Sequence, residues 1–382
     1  MSSKAGKLLI LSLSPLRSDP RVLKQINLFR DKYDVVTCGF GAAPDGVKDH
    51  VELATGLPSW PRDPKGLLKR RYRQVYWNIA AVAEANRLLR GRRFDAVLAN
   101  DANTLPLALS LDSTHGVHAD LHEFAPKEHF NKPAWRLLVA PYVRWVCRTF
   151  LPQAKSVTTV SDGIARQYGH DFGVEAAVVT NAAPYADLAP RPTSRPIRLI
   201  YSSAGQRYRR IEDIISAMDG APEGLELDLI VMPNEPAYVE ELRRQAEPLA
   251  NVRFREPVPY SELVRTISEY DVSISVIPPT NFNLANALPN KFFEAVQART
   301  ALIIGPSPAM QDLLERHGLG AVTADFSAAA LRKVLLGLAP EQVDQWKKNA
   351  HQAAEELSSE YQNRGWERAV DALFDGDRRE SR

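Results

Sequence analysis

Arg198-Leu-Ile-Tyr-Ser-Ser-Ala-Gly-Gln-Arg-Tyr-Arg-Arg-Ile-Glu-Asp-Ile-Ile215 reads as a strand, a short loop and a helix. The run Ile197–Ser202 is continuously apolar rather than alternating, the mark of a strand buried on both faces of a parallel sheet. The loop holds Gly205 and three arginines, Arg207, Arg209 and Arg210, directly ahead of the helix. Arginines at the carboxyl edge of such a strand suit a diphosphate, because the guanidinium fork matches its oxygens. A solvated basic turn is the plainer alternative.

The same alternation extends in both directions. Downstream, Leu227–Met232, Val252–Arg255, Asp271–Ile277, Ala301–Ile304 and Gly320–Thr323 read as strands with helices between them. Upstream, Ala183–Pro196 carries four prolines in fourteen positions and reads as a linker, since proline fixes φ and donates no backbone hydrogen bond. Before it stand Lys7–Leu13, Asp34–Cys38, Phe94–Ala99, Val117–Leu121, Ser156–Val160 and Ala176–Thr180, alternating with the helical segments Val22–Phe29, Tyr76–Leu89 and Trp135–Phe150. The pattern predicts two α/β domains, 1–185 and 196–350, each a doubly wound parallel sheet, facing each other across a cleft. Residues 351–382 supply a last helix, Tyr361–Phe374, that crosses back to the first domain, and a polar tail, Asp375–Arg382.

Composition narrows the class. The chain has 382 residues, 45% apolar and 25% charged, which excludes a disordered, fibrous or disulfide-dense protein. Cys38 and Cys147 lie in separate apolar stretches, as expected of a reduced, cytoplasmic protein. No apolar run reaches the roughly 18 residues of a membrane span, and no signal peptide is visible. The net charge of +2 hides an asymmetry: residues 1–190 hold 25 Lys/Arg against 18 Asp/Glu, and the remainder 23 against 28. Arg62 to Arg93 alone has ten bases and two acids, with Leu67, Leu68, Tyr72, Tyr76 and Trp77 among them. With Trp135–Arg148, this segment is suited to peripheral docking on an anionic membrane, such as the inner face of the plasma membrane. Helices that merely cover a sheet would show a similar pattern.

A second segment carries chemistry. In Leu284-Ala-Asn-Ala-Leu-Pro-Asn-Lys-Phe-Phe-Glu-Ala-Val-Gln-Ala298, Pro289 suits the first position of a helix. The free amides and positive dipole end there are a ready phosphate site. Glu294, about one and a half turns in, can accept from two vicinal hydroxyls such as those of a ribose. An ordinary amphipathic helix with Glu294 solvated is the alternative.

Together these residues resemble family 4 glycosyltransferases of the GT-B fold, which carry a Leu-Pro-Asn-Lys-x-x-Glu helix start. The resemblance implies that Glu294 holds the ribose, that Arg209, with Arg207, contacts the donor phosphates, and that Leu288, Asn290 and Lys291 assist. Asn251–Leu263 looks like the segment flanking the base. In the first half, Ser18-Asp-Pro-Arg-Val-Leu-Lys-Gln-Ile26, Asn100-Asp-Ala-Asn-Thr-Leu-Pro106, Asp120-Leu-His-Glu123, Ser156–Gly163 and Trp366-Glu367 are similar to a polysaccharide- or glycolipid-building branch. The match is collinear over nearly the whole chain. It implies that His122 is the catalytic-site histidine facing the donor sugar, with Asp101 and Glu123 on the acceptor side.

Three positions depart from the family pattern. Asn286 stands where the first of two glutamates is usual, Ala204 where the first arginine of the phosphate loop is usual, and Ser14-Pro-Leu-Arg-Ser-Asp19 lacks paired glycines. Ser14, Arg17 and Asp19 would then serve the donor in place of a glycine nest. His115, His118, His122 and His129 crowd one stretch, but the first three straddle a strand, so no metal site is expected. Cys38-Gly-Phe-Gly-Ala-Ala-Pro44 is an incomplete and misplaced dinucleotide fingerprint, and no G-x-S-x-G elbow occurs.

The expected activity is transfer of a sugar, with retained configuration and without a metal or cofactor, from a nucleotide-diphosphate-sugar to a saccharide or lipid-linked hydroxyl. The nucleotide-sugar is a substrate, a UDP-sugar being the commoner case, and nucleic acid is not an expected partner. The alternatives are a GT-B nucleotide-sugar epimerase and a catalytically silent binding partner, which Asn286 and Ala204 keep open.

Overall fold

The computed structural model describes residues 4–380. The chain forms two compact units. The first runs to Thr180 and regains the chain at Asn281–Asn283 and from Asn363 onward; the second holds Asn181–Thr280 and Leu284–Gln362.

The first unit is built on seven strands: β1 (Lys7–Pro15), β2 (Asp34–Phe40), β3 (Asp49–Leu53), β4 (Ala96–Asn100), β5 (Val117–Leu121), β6 (Ser156–Thr159) and β7 (Ala177–Val178). Their order is β3-β2-β1-β4-β5-β6-β7, with every pairing parallel. The second unit has β8 (Ile197–Ala204), β9 (Leu225–Met232), β10 (Val252–Arg255), β11 (Val272–Ser275), β12 (Ala301–Ile304) and β13 (Gly320–Val322). Its order is β10-β9-β8-β11-β12-β13, again all parallel. Both sheets reverse direction of growth beside their first strand. That switch point opens a crevice at the carboxyl edge, where doubly wound sheets take ligands.

Both faces of each sheet are covered, which is why the strands read as continuous apolar runs. Along β1, Leu9 and Leu11 enter one core, while Leu8 and Ile10 enter another with Val22, Ile26 and Phe29 of α1 (Pro20–Phe29). The same second core holds Trp366, Val370, Leu373 and Phe374 of the C-terminal helix. Residues after Asn363 therefore complete the first unit, as the expected crossover requires. In the second unit Leu199 and Tyr201 face one core and Ile200 another.

Local chemistry sets the helix starts. Asp19 caps α1 by accepting from the amides of Arg21 and Val22 at 3.1 and 3.2 Å, and Pro20 takes the first position. The helix Asn290–Gln297 begins one residue later than expected, because Pro289 is extended and forms its N-cap.

Several boundaries differ from the sequence expectation. The segment Tyr76–Leu89 is two helices, Tyr72–Trp77 and Ala80–Leu89, since Ile79 is extended and the Ala81 amide bonds the Pro58 carbonyl. Trp135–Phe150 divides into a π-helical turn, Trp135–Val139, and α2 (Ala140–Phe150). Pro141, lacking an N–H, cannot bond the carbonyl four residues back. Strand β3 was not expected: an edge strand buried at Val51 and Leu53 alternates and offers only two apolar positions. The final helix spans Arg364–Glu380 and takes in most of the expected tail, whose last two residues lie outside the described residues. The linker has no regular secondary structure but is anchored to the second unit, Thr193 by Asp344 and Ser194 by Asp271.

Candidate active site

At the carboxyl edge of the second sheet, β8 ends in Ser202-Ser203-Ala204 and the chain turns at Gly205. The Gly205 amide bonds the Met232 carbonyl at 2.7 Å. A Cβ there would lie 2.8 Å from that same oxygen and 2.5 Å from Val239, so close backbone approach demands glycine. The turn Arg207–Arg209 follows, and Arg210, left-handed at φ 51°, starts α3 (Ile211–Met218).

Opposite this loop stands α4 (Asn290–Gln297). Lys291 and Glu294, three residues apart, share one face. A cavity of about 470 Å³ opens there, lined by Ser203, Arg209, Tyr260, Lys291 and Glu294, with Pro257 and Val258 at one side. Lys291 Nζ donates to Ser203 Oγ at 2.9 Å and sits 5.0 Å above the Tyr201 ring. Burial, reinforced by the Arg209 charge and only partly offset by Glu294, pulls the Lys291 ammonium down to about 7. Glu294 is buried, at 6% exposure. Two basic side chains and a carboxylate lining one cavity suit a diphosphate joined to a vicinal diol.

Of the residues expected on the donor side, Arg209, Asn290, Lys291 and Glu294 converge on this cavity; Asn286 and Leu288 do not line it. Leu288 packs instead against the core beneath α4. Arg207 is turned away, its Nη2 shared between the two carboxylate oxygens of Glu241 at 2.6 and 2.7 Å and its guanidinium stacked over Tyr238. A larger hollow of about 900 Å³ lies at the opposite, amino edge of the same sheet, among Arg195, Glu223, Glu226 and Glu341. Its acids outnumber its bases, and it lies at the wrong end of the strands for a ligand of this fold.

In the first unit, the carboxyl ends of β4 and β5 hold a polar cluster. Asp101 takes a left-handed backbone, φ 66°, tolerated by aspartate. Its carboxylate accepts from the His122 amide at 3.1 Å and faces His122 Nδ1 at 3.3 Å. On the other side His122 Nε2 faces Asn100 Oδ1 at 3.1 Å and Asp120 Oδ2 at 3.4 Å. Burial opposes a charge on the imidazole, but Asp101 and Asp120 outweigh it and raise His122 above its ordinary range.

Glu123 accepts from Asn283 Nδ2 at 2.9 Å, and burial with the nearby Asp101 raises it. Ser14 donates to Asp19 at 2.6 Å and shares a contact with Ser12 at 2.8 Å, while Arg17 is exposed. The expected loop is thus bound into the cap of α1.

Sequence reasoning passed over Tyr260, Ser203, Arg21, Gln25, Asn100 and Asp120 as site residues. The last left a signal. His118 and Asp120 are polar residues inside a strand read as buried, and a buried polar pair requires partners. Among the described residues no group of three His, Cys, Asp or Glu is placed to hold a metal ion.

These two sites can be set beside known proteins. A sequence profile described as Glycosyltransferase Family 4 matches residues 22–184. HepE of Anabaena, solved in complex with UDP-glucose, superposes with a TM-score of 0.64 at 15% identity, over 96% of this chain and 100% of that one. Sucrose-phosphate synthase from Thermosynechococcus elongatus gives 0.66 at 13% identity, over 97% and 99%. An E. coli trehalose-6-phosphate structure bound with UDP-2-fluoro glucose gives 0.64 at 12%, over 96% and 99%. A search of curated proteins finds no match. The polar cluster at the ends of β4 and β5 lies inside the profile match, and the donor-type cavity sits on the second sheet of the same fold. The chain shares its fold with these GT-B glycosyltransferases, and its residues 22–184 are similar to glycosyltransferase family 4.

Proposed function

We propose that the protein transfers a sugar from a nucleotide-diphosphate donor, a UDP-sugar, to a hydroxyl of a saccharide or lipid-linked acceptor, with retention of configuration and without a metal. The observation that carries this reading is the cavity at the carboxyl edge of the second sheet. There Arg209 and Lys291 meet the diphosphate, and Glu294 meets the ribose. HepE and the E. coli structure were each solved with a UDP-sugar, which supports the choice of base. Catalysis in such a site is electrostatic: the cations stabilise the leaving diphosphate, whose oxygen takes the acceptor proton. His122 is the catalytic-site histidine that faces the donor sugar, and Asp101 and Glu123 belong to the acceptor side.

Incubation with a panel of nucleotide-sugars tests the reading. Slow release of UDP from a UDP-sugar, faster with added acceptor, is the expected result. Epimerised donor without acceptor points to an epimerase, and an intact donor throughout points to a silent binding partner.

Lys291 adds a pH dependence. With its ammonium near pH 7 in the free protein, a bound diphosphate raises its affinity for the proton, so binding takes up a proton above pH 7. Donor affinity then falls as pH rises beyond 7, at most about tenfold per unit. Calorimetry in buffers of different ionisation heat measures the uptake; heats independent of buffer at pH 8 would exclude it.

Membrane docking belongs to the same proposal. Leu68 and Leu137 are 74% and 72% exposed, and the turn carrying Leu137 packs beside the short helix Pro64–Leu68. Lys65, Lys69, Arg70, Arg71, Arg73, Lys132 and Arg136 surround these segments in sequence and are exposed. Each cation contributes about 1 kcal/mol at an anionic surface. Co-sedimentation with phosphatidylserine liposomes, lost at high salt, is the expected outcome.

A further inference from the structure

Beneath His122 lies a buried network that the reaction outlined above does not use. Arg21, from the first turn of α1, forks onto Asp120 through Nε at 2.7 Å and Nη2 at 2.6 Å. It also donates to the Val179 carbonyl at 3.1 Å and stacks 4.5 Å over the Trp366 ring. Thr158 donates to Asp120 Oδ1 at 2.7 Å, and Gln25 Nε2 donates to Asp120 Oδ2 at 2.8 Å. Arg21, Gln25, Asn100 and Asp120 are all buried.

The donors and acceptors can be assigned in sequence. A carboxylate only accepts, so the end of the Gln25 amide facing Asp120 must be its nitrogen. That nitrogen also reaches Asn100 Oδ1 at 2.9 Å, while Asn100 Nδ2 returns a bond to Gln25 Oε1 at 2.9 Å. Asn100 therefore shows its oxygen to His122 Nε2, which must donate. Nδ1 lies 3.3 Å from the Asp101 carboxylate, an ion-pair contact that favours a proton rather than a lone pair facing the anion. An imidazole protonated on both nitrogens is the cation.

We propose that Arg21 and Gln25 are positioning residues for His122, holding it through Asp120 and Asn100 as an imidazolium whose Nε2 donates to Asn100 and whose Nδ1 is ion-paired with Asp101. This rests on the reading that His122 belongs to the reaction site. Such a ring has no lone pair to offer and is not a general base; its contribution is fixed charge and fixed placement. The charged and titratable groups around it are Asp101, Asp120, Arg21 and Glu123. His118 stands one hydroxyl further away, bonded to Thr158 Oγ1 at 2.9 Å.

The test is nitrogen NMR of the full chain labelled at its eight histidines, with His122→Gln used to assign the signal. At pH 7.5 an ordinary histidine is about nine-tenths neutral; His122 is expected to carry both ring protons. Asp101→Asn should return the ring to a neutral tautomer at that pH, and Asp101 is exposed enough for the variant to fold. Gln25→Met releases the Asn100 amide; His122 should lose the wild-type signature, and turnover in donor hydrolysis should fall by up to about 100-fold with nucleotide affinity unchanged.

A wild-type His122 with one bare nitrogen at pH 7.5 overturns the proposal. So does Gln25→Met with wild-type turnover, whatever its spectrum. The spectra need no substrate, so their outcome is separate from that of the nucleotide-sugar panel.

Discussion

Glu294→Ala weakens binding of the nucleotide-diphosphate donor by about 10- to 150-fold. Hydrogen bonds to a charged carboxylate contribute roughly 1.5–3 kcal/mol, which converts to that range of affinity. The expectation rests on placement. Glu294 is buried on α4, and it lines the same cavity as Arg209 and Lys291. Its loss also removes an anion that supports the Lys291 charge against burial, so the affinity should fall further above pH 7 than below it. Calorimetric titration of wild type and variant measures both effects. A folded variant that binds UDP as the wild type does would remove Glu294 from the site.

The second large effect is on stability. Asp120→Ala should cost about 3–5 kcal/mol, the usual penalty for leaving a buried partner charge unmatched. Asp120 is fully buried and accepts from Arg21 twice, from Thr158 and from Gln25. Burial pushes its carboxyl up, but Arg21 and His122 outweigh burial and hold it well below the ordinary range. Alanine leaves the Arg21 guanidinium facing an apolar gap. Urea unfolding followed by a probe in the first domain checks this; a loss under about 1 kcal/mol would show that water or a neighbouring group replaces the carboxylate.

The two residues differ in how far the sequence announced them. Glu294 was legible because its motif is local: Pro289, Lys291 and Glu294 lie within one helix start, and helical spacing alone sets their common face. Arg209 was legible for the same reason, as part of one strand–loop–helix unit. The network under His122 was not, because Arg21 and Asp120 are 99 residues apart and meet only through the strand order β1-β4-β5. Asp101 was named for the acceptor, yet its carboxylate is turned onto His122 by a left-handed backbone that no spacing rule foretells.

Arg207 shows the opposite failure. It sits in the right loop, but the turn Arg207–Arg209 is tight enough to point neighbouring arginines to different sides, and Glu241 captures the first. The fold itself was readable throughout, since continuous apolar strands between amphipathic helices admit few other arrangements. Among the described residues, the edge strand β3, the short pairing of Arg93–Phe94 with Asp112–Ser113 and the breaks at Ile79 and Pro141 escaped, where one or two residues decide.

The central claim is that the second domain binds a nucleoside diphosphate at the carboxyl edge of its sheet. Thermal unfolding with UDP, GDP, ADP and CMP in parallel tests it most directly. A ligand at 100 times its dissociation constant adds about 2.7 kcal/mol to the stability of the state it binds, a rise of several degrees in Tm for a domain of this size. UDP is expected to produce that rise in the wild type and a much smaller one in Glu294→Ala. No shift with any of the four, or an equal shift in the variant, would contradict the account.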